Sequence, residues 1–311
     1  MTERRRWLRE RSFHHSDFPP ERLAAERTAT VSVCVPAREE ARTIGPIVRD
    51  LVGMRERGVV DQVVVVDASS SDGTGAIAAA AGAEVHEQAA LLPEFGPVAG
   101  KGDAMWRALT VLRGEVILYV DADSEDFGPH FACGMLGPLL CVDGVDYVKG
   151  CYRRPFKQDG GPPLPEGGGR VTELTARPLL NLFYPELAAF HQPLAGEIAA
   201  RRWLLERLRW CTGYAVEIAQ LIDAWAEVGL WGMAQVDLDV RQNRHQPLRE
   251  LGPMAYAVLR AVAERLAREG RLSEDVRRET FFSPAPDGLE RRPVEIAERP
   301  PIASLGVGAS A

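Results

Sequence analysis

From residue 31 the chain alternates between apolar, β-branched runs and segments of helical spacing. Val31-Ser32-Val33-Cys34-Val35 reads as a first strand, stopped by Pro36. Thr43 to Arg57 sets Ile44, Ile47, Val48 and Leu51 on one helical face and stops at Gly58. Val63-Val64-Val65-Val66 is a second strand ending at Asp67, and Asp72-Gly73-Thr74 opens an alanine-rich helix through Ala81. Glu84-Val85-His86 gives a short third strand, Gly102 to Leu112 a helix, and Val116 to Val120 a fourth strand. Such alternation constrains the chain to an α/β fold, a Rossmann-like, doubly wound and mostly parallel sheet. Ligands of such sheets bind outside the carboxyl ends of strands, where Pro36, Asp67 and Asp121 fall.

The fourth strand finishes on Asp121-Ala122-Asp123. A buried strand does not end on paired acids without a partner, because an uncompensated buried charge costs several kcal/mol or is neutralised. The usual partner is a hard divalent cation, Mg²⁺ or Mn²⁺, held together with a substrate's phosphates. Nucleotide-sugar glycosyltransferases hold metal and diphosphate with a strand-terminal Asp-x-Asp of this kind. The plainer alternative is a capped turn with Asp123 on nearby backbone N–H groups. Asp237-x-Asp239 serves as a control: it lies within an alternating strand, and both acids are expected to face water.

Two nucleotide signatures are excluded. Ala37-Arg38-Glu39-Glu40 after the first strand is not Gly-x-Gly-x-x-Gly, and Gly96 to Gly102 is one residue short of a P-loop. Gly100-Lys101-Gly102 before a helix nevertheless offers backbone N–H groups and an ammonium to a diphosphate. Pro36, Ala37 and Glu39 on one strand end, and Asp67 and Ser69 on the next, are candidate contacts to a nucleoside; Asp67 and Asp72 have an alternative as a helix-capping cluster. Arg170 and Thr172 suit an anionic acceptor. Tyr214 and Glu217 lie three apart on one helical face, and Glu217 is an odd acid among Val216, Ile218 and Leu221. Arg241, Asn243 and His245 alternate after the Val236–Val240 strand, and His245 is the candidate extra metal ligand.

The second half is less regular. Asp159 to Gly169, rich in glycine and proline, is expected to be a mobile loop. Helices are expected around Gly196 to Leu208, Gly213 to Val228 and Pro253 to Glu269. The domain reading is an N-terminal arm (1–29), a nucleotide-sugar half (30–150), an acceptor-binding half (151–282) and a disordered tail (283–311). Arg4, Arg5, Arg6, Arg9 and Arg11 make the arm a solvated, flexible start rather than a signal peptide. A net charge of −7 excludes a nucleic-acid binder, and no apolar run approaches the length of a membrane span. Five cysteines without a Cys-x-x-Cys pair fit buried thiols of a reducing cytoplasm.

Taken together, these residues resemble the glucosyl-3-phosphoglycerate synthases and mannosyl-3-phosphoglycerate synthases of actinobacteria, retaining glycosyltransferases of the GT-A fold. The resemblance runs from about Phe13-His14-His15 through Leu251 and is strongest over Gly167 to Leu180, Gln192 to Glu197 and Gly213 to Ile218. It implies transfer of glucose or mannose from a UDP- or GDP-linked donor to the 2-hydroxyl of 3-phospho-D-glycerate, and a homodimer. It implies donor-nucleotide contacts at Pro36, Glu39, Ser69 and Lys101, with Ala37, Asp67, Asp121, Ala122 and Tyr214 beside them. Asp123 matches the main metal ligand, Gly169, Arg170 and Thr172 the phosphoglycerate site, and Glu217 a sugar contact. Lys101, Asp123 and Glu217 form the expected catalytic set, Arg241 and Asn243 join the acceptor set, and Asp121, Asp123 and His245 the metal set. The segment departs from the family's Arg-Ala-His-Arg-Asn pattern: Asn243 stands at the histidine position and His245 two residues on, so either Asn243 joins Asp123 in the metal shell or His245 takes over as ligand. The rivals are a GT-A transferase with a polyprenyl-phosphate acceptor and, in another class, a sugar nucleotidyltransferase or a non-catalytic binding protein.

Overall fold

Each β-branched run of the first half becomes a strand buried on both faces, which is why it reads as continuously apolar rather than alternating. The computed structural model describes residues 3–155, 168–241, 246–273, 280–285 and 288–306. The arm forms α1 (Glu3–Glu10), β1 (Ser12–His14) and α2 (Pro20–Glu26). Then come β2 (Val31–Ala37), α3 (Ile44–Glu56), β3 (Gln62–Asp67), α4 (Thr74–Ala80) and β4 (Glu84–Glu87). These lead to α5 (Lys101–Ala108), β5 (Val116–Tyr119), α6 (Pro129–Cys141) and β6 (Tyr147–Arg153). The second half holds α7 (Arg177–Phe183), β7 (Ile198–Arg201), α8 (Arg202–Arg207), β8 (Trp210–Cys211), α9 (Val216–Val228) and β9 (Met233–Val240). It closes with α10 (Leu248–Arg268), β10 (Thr280–Ala285), β11 (Gly288–Pro293) and β12 (Glu298–Arg299).

Eight strands form one sheet in the order β1-β9-β6-β7-β5-β2-β3-β4. Every neighbouring pair is parallel except the two made by β7. The carboxyl ends of the other seven strands therefore open on one side. Side chains alternate across the sheet into two cores. Val33, Val35, Val63, Val65 and Leu118 pack on the α3–α6 side with Ile47, Leu51 and Phe131. Cys34, Val64, Val66, Ile117 and Tyr119 face the other side, with Trp106, Ile218 and Leu221.

The α/β, mostly parallel expectation holds, and three local readings are corrected. Gly196 to Leu208 is not one helix: Ile198–Arg201 is strand β7, wedged between β5 and β6, and only then does α8 begin. Ala199 and Ala200 favour helix locally, but their small, fully buried side chains suit a central strand, and tertiary pairing overrides propensity. The arm is not a flexible start. Trp7 is fully buried with its Nε1 donating to Met233 O at 2.9 Å, and β1 adds to the sheet edge beside β9. Burying an aromatic of this size is worth roughly 2–3 kcal/mol. Phe18 packs so closely on α6 that a Cβ at Gly137 would lie 2.0 Å from its ring.

The tail expectation also fails. β10 and β11 pair as an antiparallel hairpin, β12 pairs with β8, and Ile302 is buried. The segment carries few large apolar residues, so its order comes from specific bonds: Trp106 Nε1 donates to Pro300 O at 3.0 Å, and Arg299 forms two 2.8 Å bonds with the buried Asp103. The expected boundary at 150 falls inside β6, and β6, β7 and β9 share one sheet with β2–β5. Most of the loop expected from Asp159 to Gly169 lies outside the described residues. Cys34, Cys133, Cys151 and Cys211 are buried free thiols, and Cys141 is half-buried. Among the described residues, no helix is long and apolar enough to cross a membrane.

Candidate active site

Where β5 ends, Asp121 turns inward and both its carboxylate oxygens are taken. Lys101 Nζ bonds Oδ1, and Arg241 Nη1 donates to Oδ2 at 2.9 Å. Arg241 also donates to Glu197 Oε1 at 2.6 Å, to the Tyr152 hydroxyl at 2.9 Å and, through Nη2, to Asp123 Oδ1 at 2.6 Å. Lys101 donates in addition to Glu217 Oε1 at 3.2 Å. Two cations thus serve four carboxylates: Asp121, Asp123, Glu197 and Glu217.

The geometry follows from local chain constraints. Gly196 lies directly under Asp121, and a Cβ there would sit 2.1 Å from Oδ2. Gly100, at φ +81°, lets the start of α5 lie close against Gly213, whose Cα would be 3.1 Å from a Cβ at position 100, and Gly213 N donates to Ala99 O at 3.0 Å. That contact brings Lys101, the first residue of α5, against Glu217 in the first turn of α9.

Burial alone would lower the Lys101 ammonium, but Asp121 and Glu217 overcome it and hold the amine well above its ordinary range. Burial would likewise raise Asp121, yet Lys101 and Arg241 hold it well below the usual carboxylate range. Both stay charged at neutral pH. Lys149, on β6 beneath this cluster, differs: burial pushes its amine down to about 8 despite the pull of Glu217, and its Nζ has no hydrogen-bond partner among the described residues.

The cluster forms the floor of a cleft of ≈ 670 Å³ at the carboxyl ends of the strands. Asp123 is its most exposed acid: 45% of its side chain is accessible, against 19% for Asp121, 14% for Glu217 and 1% for Glu197. Among the described residues, the β2–β3 wall is made by Pro36, Ala37, Arg38, Glu40 and Ala68 rather than by Glu39, Asp67 or Ser69. Those three tie the turn together. Glu39 Oε1 accepts from Ser71 N at 2.8 Å, Asp67 Oδ1 accepts from Ser70 Oγ at 2.6 Å, and Ser69 Oγ donates to Glu87 at 2.7 Å. Asp72 takes the capping part, accepting from Thr74 N at 3.0 Å. Glu39 and Ser69 both sit at φ +56°, so the loops at this end carry backbone strain.

On the opposite wall stand Gly168, Gly169, Arg170 and Thr172, together with Arg154. Gly169 has φ +76°, and Thr172 opens a π-helical turn, Thr172–Ala176, ahead of α7. Arg170 Nη2 donates to Gln246 O at 2.6 Å. Tyr214, half exposed, and Ala122 complete the lining between the walls.

Two further placements differ from expectation. Arg241 is not at the acceptor wall; it is 1% exposed, and its guanidinium is held by three acids. Asp121, expected as a metal ligand, has both oxygens committed to cations. Asn243 and His245 lie outside the described residues. Glu197 was missed, although its signal matched that of Asp121: an acid beside an apolar strand, here Ile198 to Ala200. The donor set fits a hard divalent cation, because the cluster carries two more acids than bases and its most open group is the oxygen donor Asp123.

Residues 32–190 match the model for glycosyl transferase family 2. The chain is 43% identical over 302 residues to the glucosyl-3-phosphoglycerate synthase of Mycolicibacterium smegmatis, covering 96% of this chain and 98% of that one. It is 42% identical to the enzyme of that name from Petrotoga mobilis, covering 84% of this chain and 82% of that one. The crystal structure of mannosyl-3-phosphoglycerate synthase from Rubrobacter xylanophilus superposes with TM-score 0.88 at 49% identity, covering 97% and 98% of the two chains. That of the Mycobacterium tuberculosis glucosyl-3-phosphoglycerate synthase with Mn²⁺, UDP and phosphoglyceric acid superposes with TM-score 0.82 at 38% identity, covering 95% and 98%.

Proposed function

The chain belongs to the glucosyl/mannosyl-3-phosphoglycerate synthase family of family 2 glycosyltransferases, and on that footing we propose that its cleft moves a hexose from a nucleoside-diphosphate sugar to the 2-hydroxyl of 3-phospho-D-glycerate. The observation that carries this reading is the placement of Asp123: the most exposed acid of an over-acidic cluster opens into the same cleft as Gly169, Arg170 and Thr172. A donor diphosphate with its cation and an anionic acceptor thereby share one chamber.

In this reading Asp123 holds the cation, Mg²⁺ or Mn²⁺, with any further ligand coming from the 242–245 segment. When bound, the cation supplies neutralisation of charge on the departing nucleoside diphosphate. Lys101 and Arg241, fixed by Asp121, keep positive charge at the same end of the cleft, and Arg241 also holds the Asp123 carboxylate. Pro36, Ala37 and Arg38 line the nucleoside end. Arg170 and Thr172 seat the phosphate and carboxylate of the acceptor, so the gain there is orientation. The bond from the anomeric carbon to the diphosphate oxygen breaks, and a bond from that carbon to the acceptor oxygen forms. With departure and attack on one face of the sugar, the hydroxyl proton passes to the departing diphosphate and configuration is retained. Glu217, already bonded to Lys101, is placed for sugar hydroxyls rather than as a nucleophile.

The test is to incubate the full chain with labelled UDP-glucose, GDP-glucose or GDP-mannose and Mn²⁺, with 3-phosphoglycerate, with a polyprenyl phosphate, or with neither. Label reaching a charged product only when 3-phosphoglycerate is present supports the reading. Transfer to the polyprenyl phosphate alone, or none to 3-phosphoglycerate from any donor, contradicts it.

A further inference from the structure

At the β1 edge of the sheet two imidazoles and a carboxylate converge. His15 Nε2 lies 2.7 Å from Asp239 Oδ2, and His14 Nε2 lies 3.4 Å from Oδ1 of the same carboxylate. The donor atoms of the three residues all lie within 4.8 Å of one another. No part of the transfer reaction uses them. We propose that His14, His15 and Asp239 form a binding site for a borderline divalent cation such as Zn²⁺, separate from the hard-cation position at Asp123.

The donor chemistry separates the two positions. Two imidazole nitrogens and a carboxylate favour Zn²⁺ and its neighbours, whereas an oxygen donor such as Asp123 suits Mg²⁺ or Mn²⁺. The spacing is close to what is needed: a tetrahedral ion with donors at ~2.0–2.1 Å sets them about 3.3 Å apart. The separations of 2.7 and 3.4 Å, to the two oxygens of Asp239, bracket that value, and all three donors lie within 4.8 Å of one another. The site is also built from behind. His14 Nδ1 lies 2.7 Å from Ser16 Oγ, the outer bond that orients a metal-ligating imidazole. His130 packs against His15 with ring centroids 4.8 Å apart and the planes tilted by 55°, and walls that side. Asp239 adopts φ +69° with its own N–H donating to Asp237 Oδ1 at 2.9 Å, which turns its carboxylate toward the histidines. A left-handed backbone is tolerable there because the residue is Asp.

Binding requires each imidazole to present a lone pair at Nε2. In this structure His14 Nδ1 accepts from Ser16 N at 3.3 Å; on binding an ion through Nε2 its proton moves to Nδ1, where Ser16 Oγ, 2.7 Å away, is the acceptor. Arg153, 3.6 Å from Asp239 Oδ1 and 65% exposed, is the competing cation and is free to swing into solvent. An ion here clamps β1 to β9 two residues before Arg241.

The test uses the full chain, stripped of metal, dialysed against Zn²⁺ and then against metal-free buffer, with bound zinc measured per chain. Wild type should retain one zinc more than Asp239→Asn, which keeps a residue that accepts the left-handed backbone, and one more than the His14→Ala/His15→Ala double variant. Crystals of the wild type soaked in Zn²⁺ should show an anomalous peak touching His14, His15 and Asp239, a readout that does not depend on either variant folding. Equal zinc in wild type and both variants, or no peak beside Asp239, overturns the proposal. Neither readout involves hexose transfer, so failure here leaves the transfer reading standing, and the reverse.

Discussion

Replacing Arg241 by Met should cost about 3–5 kcal/mol of folding stability, read as a fall in the urea midpoint at unchanged slope. Arg241 and Glu197 are each 1% exposed, and the same guanidinium holds Asp121 and the Tyr152 hydroxyl. Burying an arginine is costly in itself; here the acids more than offset burial and keep its pKa well above the ordinary value. Once the guanidinium is gone, Glu197 and Asp121 remain buried beside one remaining partner, Lys101, which bonds only the second of them. The penalty therefore comes from orphaned charge rather than from a lost attraction. Removing the negative charge as well, in Arg241→Met/Glu197→Gln, should recover a large part of it, since replacing both members of a buried pair is far cheaper than replacing one. A single variant that unfolds at the wild-type midpoint would mean that the cluster does not hold the site together.

Asp123→Ala should lower kcat by about 10³-fold under saturating Mn²⁺ while leaving stability within about 0.5 kcal/mol of wild type. Asp123 gives up one bond to Arg241 and little burial, so the fold has small need of it. Its proposed work lies in the transfer step, where several kcal/mol of charge stabilisation at the diphosphate depend on a cation held at its carboxylate. Asp121→Ala should behave differently: it strips a shared partner from both Lys101 and Arg241 and so lowers stability and turnover together. The two substitutions, two residues apart, separate the acid that carries the chemistry from the acid that carries the geometry. Near-wild-type turnover in Asp123→Ala would remove the cation from the account.

Much of this was legible in the chain because period and burial leave a residue-level trace. Val63 to Val66 and Val116 to Val120 are apolar at every step and Val31 to Val35 at all but Ser32, the trace of a sheet covered on both faces. The strand ending in Asp121 and Asp123 was visible for the same reason. What escaped depended on distant partners. Ile198 to Arg201 has too few residues to show a period, and its strand character comes from lying between β5 and β6. The arginine-rich arm looked solvated because its signal is charge, whereas the buried Trp7, Phe18 and Leu23 and the pairing of β1 with β9 anchor it. Within the site, Lys101, Asp123, Glu217, Arg170 and Thr172 do meet at one cleft. Arg241 was read as part of the acceptor wall and not as the hub of four partners, since no local pattern names the distant acids that its side chain meets. Asp237 and Asp239 both reach water as expected, but Asp239 also meets His14 and His15, an arrangement set by the pairing of β1 with β9.

The most direct measurement is a crystal structure of the chain with Mn²⁺, a non-hydrolysable UDP- or GDP-hexose and 3-phosphoglycerate. The account predicts an anomalous manganese peak on Asp123 that also touches the diphosphate, with the phosphoglycerate phosphate against Gly169, Arg170 and Thr172. A nucleotide sugar seated in the cleft with no ion at Asp123, or a phosphoglycerate bound away from that wall, would contradict it.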